Sequence, residues 1–461
     1  MPASVDPALD SVRDPALARY GAVAGENRPE RLLRRACLAI PLLMVVIGAA
    51  IAALQRYLAR ADVPMPNNLG NLHGIGHLAL SDSWGPMLAV RDWLARHPGG
   101  DAYEYFFFGL GTKFQYPLSS LIPIHWLPLD GAAAFHVLNL FSLAAWIAVA
   151  VGMVLLDLRL ARLLRLPLAS GDMLSRLWLA AAATIATFCF FPLIRAVYIG
   201  QIQTFLDALF VFACYFLASG RSASAGLLIG LSALVKPQMV LFLLWGALRR
   251  DRPFVVAMAA CVAVGYAVSA WLYGWAWPFA YLHVLEYIGQ HGEGLYENHS
   301  VNGLVNHMLG NGPNLVWDGQ HFAPYNATVH RLTLLSTVAL VVGGLWGART
   351  AMTRLSATAS LMVAGLCFTA ASPVAWDHHY GVMLPLFGLL FLSLLANPRS
   401  GAERWSLLCG TFVMAANALS PVNLLAGTPL SFLQSYVFFA ALGVLALVFL
   451  CRRDLGWASR A

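Results

Sequence analysis

The sequence predicts an all-α protein that crosses a membrane many times. Of its 461 residues, 59% are hydrophobic and only 11% are charged, whereas soluble domains carry about 25% charged residues. The mean hydropathy is +0.67. Long apolar runs recur along the whole chain, which is typical of a polytopic helical membrane protein.

About twelve apolar runs are candidates for membrane-spanning helices. Two of them, 223–235 and 238–248, are far shorter than the roughly 20 residues that a helix needs to cross a bilayer core. These two flank Lys236 and Pro237, which predicts helices that end early inside the protein. The candidate spans are 36–54, 132–156, 177–194, 202–218, 223–235, 238–248, 253–274, 332–347, 355–371, 381–396, 405–420 and 432–451.

Basic residues predict the orientation of these spans. If the N-terminus is cytoplasmic, 21 of the 29 Lys and Arg residues fall in inner segments, as expected when cytoplasmic loops are enriched in positive charge. We therefore expect both termini to be cytoplasmic. The net charge of +7 then follows from topology, and it does not indicate nucleic-acid binding.

The same topology divides the chain into three parts. We expect residues 1–35 to form a disordered cytoplasmic tail, 36–451 a transmembrane domain and 452–461 a short cytoplasmic tail. The first span has an Ala-rich end that resembles a signal-peptide cleavage site, but about 35 residues precede it, more than a usual n-region. We interpret it as a retained anchor. The seven cysteines show no paired spacing in the outer loops, so neither a disulfide framework nor a zinc site is predicted.

The outer side carries the long loops. Segments 55–131 and 275–331 are outer in this topology, and large loops on one side indicate function there. Within the first, apolar positions at helical spacing alternate with Arg and Asp over Pro86–Arg96. This predicts an amphipathic helix that lies in the headgroup layer or packs on the other spans.

A set of polar residues lies at the outer ends of spans or in outer loops, where neither solvent exposure nor the basic-residue pattern explains it. Because sequence-distant segments bring these residues to one face, they predict a single site. Its members are Asp82, Tyr116, Gln201, Gln203, Lys236, Asn298, Ser300, Asp377, His378 and His379.

Several of these residues fall in recognisable motifs. Tyr198–Gln203 reads Tyr-Ile-Gly-Gln-Ile-Gln, and one span later Gly226–Gln238 ends in Val-Lys-Pro-Gln. Asn298–Gly303 reads Asn-His-Ser-Val-Asn-Gly, and Ser372–His379 reads Ser-Pro-Val-Ala-Trp-Asp-His-His. Together they resemble glycosyltransferase family 87, a group of membrane enzymes of the GT-C class, over roughly residues 80–400.

The resemblance implies a function. It implies a GT-C-type fold with an active site that faces the periplasm of a bacterial inner membrane. It also implies inverting transfer of one sugar, mannose, from a polyprenyl-phosphate-mannose donor to a glycan or glycolipid acceptor. Partners are then these substrates and membrane lipid, with no nucleic acid and no nucleotide-sugar, metal or other cofactor requirement.

Asp82 is the predicted catalytic base. The family usually opens its first loop with Asp-Phe and a following Tyr, whereas this chain has Asp82 before Ser83. The later Gly99 and Tyr103 fit the family pattern, so the resemblance places Asp82 at the catalytic Asp. Transfer needs a base for the acceptor hydroxyl. From the residues alone Asp82 equally suits the N-cap of the following helix, and Asp377 is the alternative base.

His378 and His379 are predicted to donate hydrogen bonds to the donor phosphate. A metal site with Asp377 and simple local capping are the alternatives. A metal requires three or four ligands of fixed geometry, and the other outer histidines have no regular spacing. The phosphate role is therefore favoured, with His378 and His379 in the catalytic set.

Lys236 is one of only two lysines, and an ammonium at the end of a span is costly unless it is paired or faces water. Phosphate binding and snorkelling toward the surface both explain it. Gln201, Gln203 and Asn298 are donors suited to sugar hydroxyls, although such residues often only satisfy backbone groups at helix ends. The predicted substrate-binding set is completed by Ser300, Asp377 and Tyr116.

Two other functional classes share the general architecture. A transporter or lipid flippase usually has internal repeats and ion sites near the midplane, and no internal repeat is apparent in the sequence. A GT-C-like ligase that moves a whole glycan stays open as an alternative. The location of the polar residues at one face favours an enzyme that takes its substrate from one leaflet.

Overall fold

The computed structural model describes residues 28–59, 61–77, 81–128, 131–170 and 173–457. Of the tails expected at the two termini, residues 1–27 and 458–461 lie outside this part of the chain, and the first helix begins at Arg28. In the described ranges the chain is helical, and its one β-feature is an isolated antiparallel bridge between Asn298 and Trp376.

In the described ranges of the N-terminal half, the chain forms ten helices. In chain order they are α1 (Arg28–Leu58), α2 (Asn68–Ile75), α3 (Trp84–Arg96), α4 (Ile122–His125), α5 (Gly131–Leu163), α6 (Pro167–Ser170), α7 (Met173–Phe188), α8 (Phe191–Tyr198), α9 (Gln203–Ala218) and α10 (Ser222–Ala233). A π-helical turn covers Tyr103–Gly109, and a 3₁₀ turn covers Leu118–Leu121.

Nine helices follow in the C-terminal half. They are α11 (Leu241–Leu248), α12 (Arg252–Tyr273), α13 (Trp277–His291), α14 (Val301–Leu309), α15 (Ala327–Trp346), α16 (Arg354–Ala370), α17 (Met383–Ala396), α18 (Ala402–Ala416) and α19 (Tyr436–Leu450). Short 3₁₀ segments occupy Pro237–Val240, Asp377–Val382, Ser420–Leu425 and Ser431–Ser435.

The predicted all-helical, polytopic membrane fold is confirmed. Within the described part of the chain, six helical segments are long and apolar enough to cross a membrane, and α7 with α8 makes a seventh if this pair, bent by 52°, is one span. The segments α9, α10, α16 and Pro237–Leu248 are apolar but shorter. Each of the twelve predicted runs thus overlaps a helix, whereas twelve membrane crossings stay a prediction.

Two hydrophobic clusters organise the interior. The larger one joins side chains of the long apolar helices, such as Trp146, Phe210 and Phe368. The second joins α3 and the segment after it to α13, and includes Tyr103 and Tyr281. The long outer loops therefore fold into a core of their own that packs on the helical bundle.

The helix predicted over Pro86–Arg96 is confirmed and begins at Trp84. Its buried face includes Trp84, Met87 and Leu94, which belong to the second cluster. Arg91 is buried as well, and its guanidinium donates to the carbonyl of Leu127 at 3.1 Å. This buried face agrees with packing on other parts of the protein.

Helices are interrupted where the polar motifs lie. The chain bends between α7 and α8, and Pro192 lies in the first turn of the new helix. α10 ends at Ala233, before the 3₁₀ segment that starts at Pro237, as the short runs on either side of Lys236 predict. Gly200 has a φ of +70°, which permits the turn between α8 and α9. Each interruption places loop residues, most of them buried, among the helices of the bundle.

Small residues permit close contact between α10 and α12. A Cβ atom added at Gly226 would overlap the carbonyl oxygen of Phe254, and one added at Gly230 would lie 2.8 Å from Cβ of Cys261. Small residues let membrane helices approach closely. The glycines of the Gly226–Gln238 motif thus have a packing reason that is separate from chemistry.

We expect Gly226→Ala to lower the thermal unfolding temperature of the purified protein, since overpacking against an immobile backbone costs about 1–3 kcal/mol. Gly343→Ala in α15 is the matched control, because a Cβ there meets nothing within 4 Å. That control should be neutral or slightly stabilising. Equal unfolding temperatures for the two variants would contradict the close helix contact.

Candidate active site

A cavity of about 1560 Å³ brings most of the predicted site residues together. Members of both hydrophobic clusters line it, for example Phe368 and Tyr281. The predicted site residues that line it are Asp82, Tyr116, Gln201, Lys236, His378 and His379. Gln203, Asn298, Ser300 and Asp377 do not line it. The expected convergence of distant segments is therefore present for six of the ten residues.

Asp82 is held by the turn between α8 and α9. Its backbone N–H donates to the carbonyl of Ile199 at 2.9 Å, and the Gln201 side-chain amide donates to its Oδ2. Ser83 Oγ donates to Gln201 Oε1 at 2.6 Å, which fixes the amide in this orientation. The residue preceding α3 is Ser83, and no side chain caps that helix. The alternative explanation for Asp82 is therefore wrong, because its carboxylate does not cap α3.

Tyr116 joins the same cluster. Its hydroxyl lies 2.9 Å from Ser83 Oγ and 3.2 Å from Gln201 Oε1. Burial raises the pKa of Tyr116, and the nearby Asp82 carboxylate raises it further. The phenol is therefore a neutral hydrogen-bonding group, and Asp82 is the one charged member of this cluster.

Lys236 presents a buried cation to the cavity. Its side chain is 8% exposed, and no hydrogen bond or ion pair to its ammonium is found among the described residues. Asp207 acts on it only at longer range. A buried ammonium without a partner is costly, so this position suits an anion in the cavity. Because the side chain is buried, Lys236 does not extend to the membrane surface.

His378 is oriented by Asp377. His378 Nδ1 lies 3.3 Å from Asp377 Oδ1, and the His378 backbone N–H donates to the same oxygen at 2.6 Å. His378 Nε2 is buried without a hydrogen-bond partner, although the residue lines the cavity. The rings of His378 and His379 pack edge to face with centroids 4.6 Å apart. The two rings are thus held in place, and His378 Nε2 is free to form a hydrogen bond with a ligand.

Asp377 requires a correction. It was expected to contact substrate and to serve as the alternative base, but it is 3% exposed and does not line the cavity. Its Oδ2 lies 4.0 Å from Arg195 Nε, and its backbone N–H donates to the carbonyl of Glu297 at 3.2 Å. Asp377 therefore supports His378 and the turn before α17.

Asn298 and Ser300 also differ from expectation. The Asn298 amide donates to the carbonyls of Glu293 at 2.8 Å and Pro373 at 3.0 Å, and its Oδ1 accepts from the Ala375 N–H at 2.9 Å. Ser300 Oγ donates to Pro373 and caps α14. These side chains satisfy backbone groups and hold the Asn298 loop against the Ser-Pro loop, so their N–H and O–H donors are already used and none is left for sugar hydroxyls.

Gln203 is the remaining correction. It is 1% exposed, and its amide donates to Asp207 Oδ1 at 2.7 Å within α9. Asp207 therefore has a hydrogen-bond partner one turn away in α9. Gln203 compensates a buried carboxylate in place of contacting substrate.

The sequence did not indicate an ion-paired network on the cavity wall. Arg195 Nη2 donates to Glu297 Oε1 at 2.5 Å, and the Tyr296 hydroxyl donates to the same oxygen at 2.9 Å. All three residues line the cavity. Burial raises the pKa of Glu297, and Arg195 opposes that shift. The proximity of Glu297 to the Asn298 motif was the available signal, but a pairing across 102 residues is not visible in a single sequence.

A second ion pair lies on the outer part of the site. Lys113 Nζ lies 2.5 Å from Glu293 Oε2, and both side chains are 6% exposed. Among the described residues, no group of three or more His, Cys, Asp or Glu side chains has a geometry that could hold a metal ion. The polar groups of the cavity are thus arranged as pairs and single donors.

A family model for glycosyltransferase family 87 matches residues 114–373, which is more than half of the chain. The chain belongs to glycosyltransferase family 87. It is therefore a membrane-embedded glycosyltransferase, as the motifs indicated. The match contains Tyr116, Gln201 and Lys236, whereas Asp82 precedes it and His379 follows it. Geometry is thus the main support for the roles of the residues outside the match.

Two relatives carry the same name, polyprenol-phosphate-mannose-dependent alpha-(1-2)-phosphatidylinositol mannoside mannosyltransferase. The protein from Mycobacterium tuberculosis is 27% identical over 359 residues, which is 76% of this chain and 76% of the relative. The one from Mycolicibacterium smegmatis is 26% identical over 263 residues, or 54% of each chain. No solved structure matches this family 87 chain.

Asn298→Ala should destabilise the enzyme, since each buried backbone group left without a partner costs about 1–3 kcal/mol. We expect a lower thermal unfolding temperature in detergent, with donor and acceptor affinity retained by the folded fraction. Gln238→Ala is the control, because this side chain lines the cavity and its amide has no hydrogen bond to another segment within the described part of the chain. Unchanged stability with weakened substrate binding would instead support direct contact between Asn298 and substrate.

Proposed function

We propose that this enzyme transfers a mannosyl residue from a polyprenyl-phosphate-mannose donor to a glycan or glycolipid acceptor. The observation that carries the proposal is the unpaired, buried ammonium of Lys236, which shares one cavity with His378, His379 and the carboxylate of Asp82. The names of the two mycobacterial relatives support the choice of donor.

The cavity suits an amphipathic donor. One part of its wall is apolar and comes from α11, α15 and α16, with Leu241, Leu244, Leu334 and Val341 among its residues. Leu244 and Leu334 are also exposed on the protein surface, where lipid can reach them. A polyprenyl chain on this wall leaves the attached phosphate near Lys236 and the histidines, because apolar surface prefers the membrane and the phosphate needs compensating charge.

Phosphate binding is assigned to Lys236, His378 and His379. The departing polyprenyl phosphate gains negative charge on its bridging oxygen as the bond to the sugar breaks. A cation and hydrogen-bond donors already in place stabilise that charge without reorganisation. The proposed mechanism draws its positive charge from Lys236 and further hydrogen bonds from the two histidines, and it uses no metal ion or nucleotide cofactor.

Asp82 is assigned as the base. It accepts the proton of the acceptor hydroxyl while that oxygen attacks C1 of the donor sugar. The C1–O bond to phosphate breaks with departure of polyprenyl phosphate, so a single displacement inverts a β-linked donor to an α-linked product. Gln201 donates to Oδ2 of Asp82, which leaves Oδ1 for the acceptor hydroxyl.

Location and domain organisation are part of the proposal. We infer a multi-pass protein of the bacterial inner membrane with cytoplasmic termini and a periplasmic active site. The distribution of Lys and Arg supports this orientation. Residues 36–451 act as one catalytic unit, since cavity-lining residues range from Pro64 to His379.

Asp82→Asn should abolish transfer while the protein stays folded and still binds donor, since a general base contributes about 10²–10⁴ in rate. The measurement is transfer of radiolabelled sugar from a panel of polyprenyl-phosphate sugars to envelope lipid extract. Asp101→Asn, on the same outer segment but outside the cavity, should leave transfer intact.

If Asp82→Asn is active, Asp82 is not the base. Glu297, the other carboxylate among the described residues that line the cavity, would then be the candidate. No transfer by the folded wild type from any donor would contradict the proposed function itself.

Lys236→Gln should raise the KM for donor about 10- to 100-fold, the range expected when a hydrogen bond to a charged group is lost. Lys236→Arg keeps the positive charge and should raise the KM for donor by a smaller factor. Arg331→Gln, an exposed residue outside the cavity, is the matched control. The measurement is a donor titration at saturating acceptor. A changed acceptor KM with an unchanged donor KM would remove Lys236 from phosphate binding.

A further inference from the structure

Two tryptophans on the cavity wall pack against each other. Trp317 and Trp376 both line it, and their rings meet edge to face with centroids 5.5 Å apart. Trp317 is 48% exposed. Neither ring belongs to the ion pairs or to the Asp82 cluster described above, so the proposed chemistry leaves both unexplained.

The Trp317 loop is held firmly. The ammonium of Lys113 lies 4.2 Å from the Trp317 ring centroid and 4.5 Å from that of Phe322. Glu293 pairs with the same ammonium, so a buried ion pair supports the indole from behind. Such cation–π contacts contribute about 0.5–2 kcal/mol. An exposed indole that is fixed in this way loses little conformational entropy when a ligand binds.

The other end of the loop is anchored as well. The side-chain amides of Asn314 and Gln434 exchange two hydrogen bonds of 2.8 Å. The backbone N–H of Tyr296 donates to the carbonyl of Asn314 at 2.9 Å. Trp317 is therefore tied both to the segment before α19 and to the segment that carries Glu297.

The surroundings of the two rings combine apolar and polar groups. Gln115 and Glu297 line the same cavity, and Glu297 Oε2 has no hydrogen-bond partner among the described residues. A pyranose ring has the matching character, with an apolar C–H face and hydroxyl groups around its rim. Ligand sites of this kind pair aromatic surface with a few placed polar groups.

Membrane anchoring is the other use of an exposed tryptophan. The contacts of Trp317 argue against it, because the ring packs on a buried ammonium and its neighbours Asp318, Gln320 and His321 are polar. Trp317 also lies on the cavity wall, whereas Trp275 is 73% exposed and does not. Trp317 therefore suits a ligand inside the site.

We propose that Trp317 and Trp376 form an acceptor subsite, which binds a pyranose ring of the acceptor glycan through its C–H face. The inference rests on the proposed function and adds the part of the acceptor that is recognised. The connectivity of the structure supports the placement. Trp376 precedes the Asp377–His378 pair directly, so a sugar at this subsite lies near a residue assigned to the donor phosphate, and Asp82 lines the same cavity.

The first test is a kinetic comparison. Trp317→Ala should raise the acceptor KM about tenfold, while kcat and the donor KM change less than about twofold, the pattern expected for lost uniform binding. Trp317→Phe retains an aromatic face and should be intermediate. Trp275→Ala is the matched control and should behave as wild type. A fall in kcat with unchanged acceptor KM, or no effect of Trp317→Ala, would overturn the subsite.

The second test does not depend on turnover. In saturation-transfer NMR with methyl α-D-mannopyranoside and no donor, ring C–H protons should be saturated by the wild type and not by Trp317→Ala. If Trp317→Ala loses this signal but the wild type transfers sugar from no donor, the subsite is supported and the proposed function is refuted. Normal transfer with an equal signal from both proteins would refute the subsite alone.

Discussion

The ion pair between Arg195 and Glu297 joins the parts of the chain on which the site depends. Arg195 lies on α8, the second half of a bent helix pair, and Glu297 lies in the loop before α14. Asp377, in the turn before α17, lies 4.0 Å from the same guanidinium. Removing one partner from a buried pair typically costs about 3–5 kcal/mol. The ion pair therefore holds the three segments together and keeps His378 beside the cavity.

A short stretch of antiparallel backbone completes this junction. Asn298 and Trp376 form the bridge, and flanking hydrogen bonds run from Asp377 to Glu297 and from His299 to Ala375. Backbone pairing of this kind is unusual in a helical membrane protein, since exposed strand edges are not tolerated in lipid. Here the Asn298 side chain and the surrounding protein satisfy the remaining backbone groups, so an irregular loop is stable next to the cavity.

Much of the fold follows from the sequence, because apolar runs locate every helix of the described residues that is long and apolar enough to cross a membrane. The 15-residue helix α13, in contrast, lies in a segment that was predicted only as an outer loop. The site is only partly predictable. Polar residues such as Lys236 and His379 are conspicuous in apolar surroundings, so their convergence can be expected. Asn298 and Gln203 are equally conspicuous, yet their hydrogen bonds go to backbone carbonyls or to Asp207. Residue type predicts hydrogen-bonding capacity, but only the fold decides which partner uses it.

The short helices explain why the number of membrane crossings is hard to predict from the sequence. They also explain where the polar cavity residues lie. A segment such as α10 is too short to cross a bilayer alone, so its end lies inside the protein. Lys236 follows this end, and α12 packs closely against α10 through Gly226 and Gly230. Full-length helices would have filled the space with apolar side chains. The interruptions therefore create a cavity with charge on one wall and apolar surface on another, which is the division that a phosphate attached to a lipid chain requires.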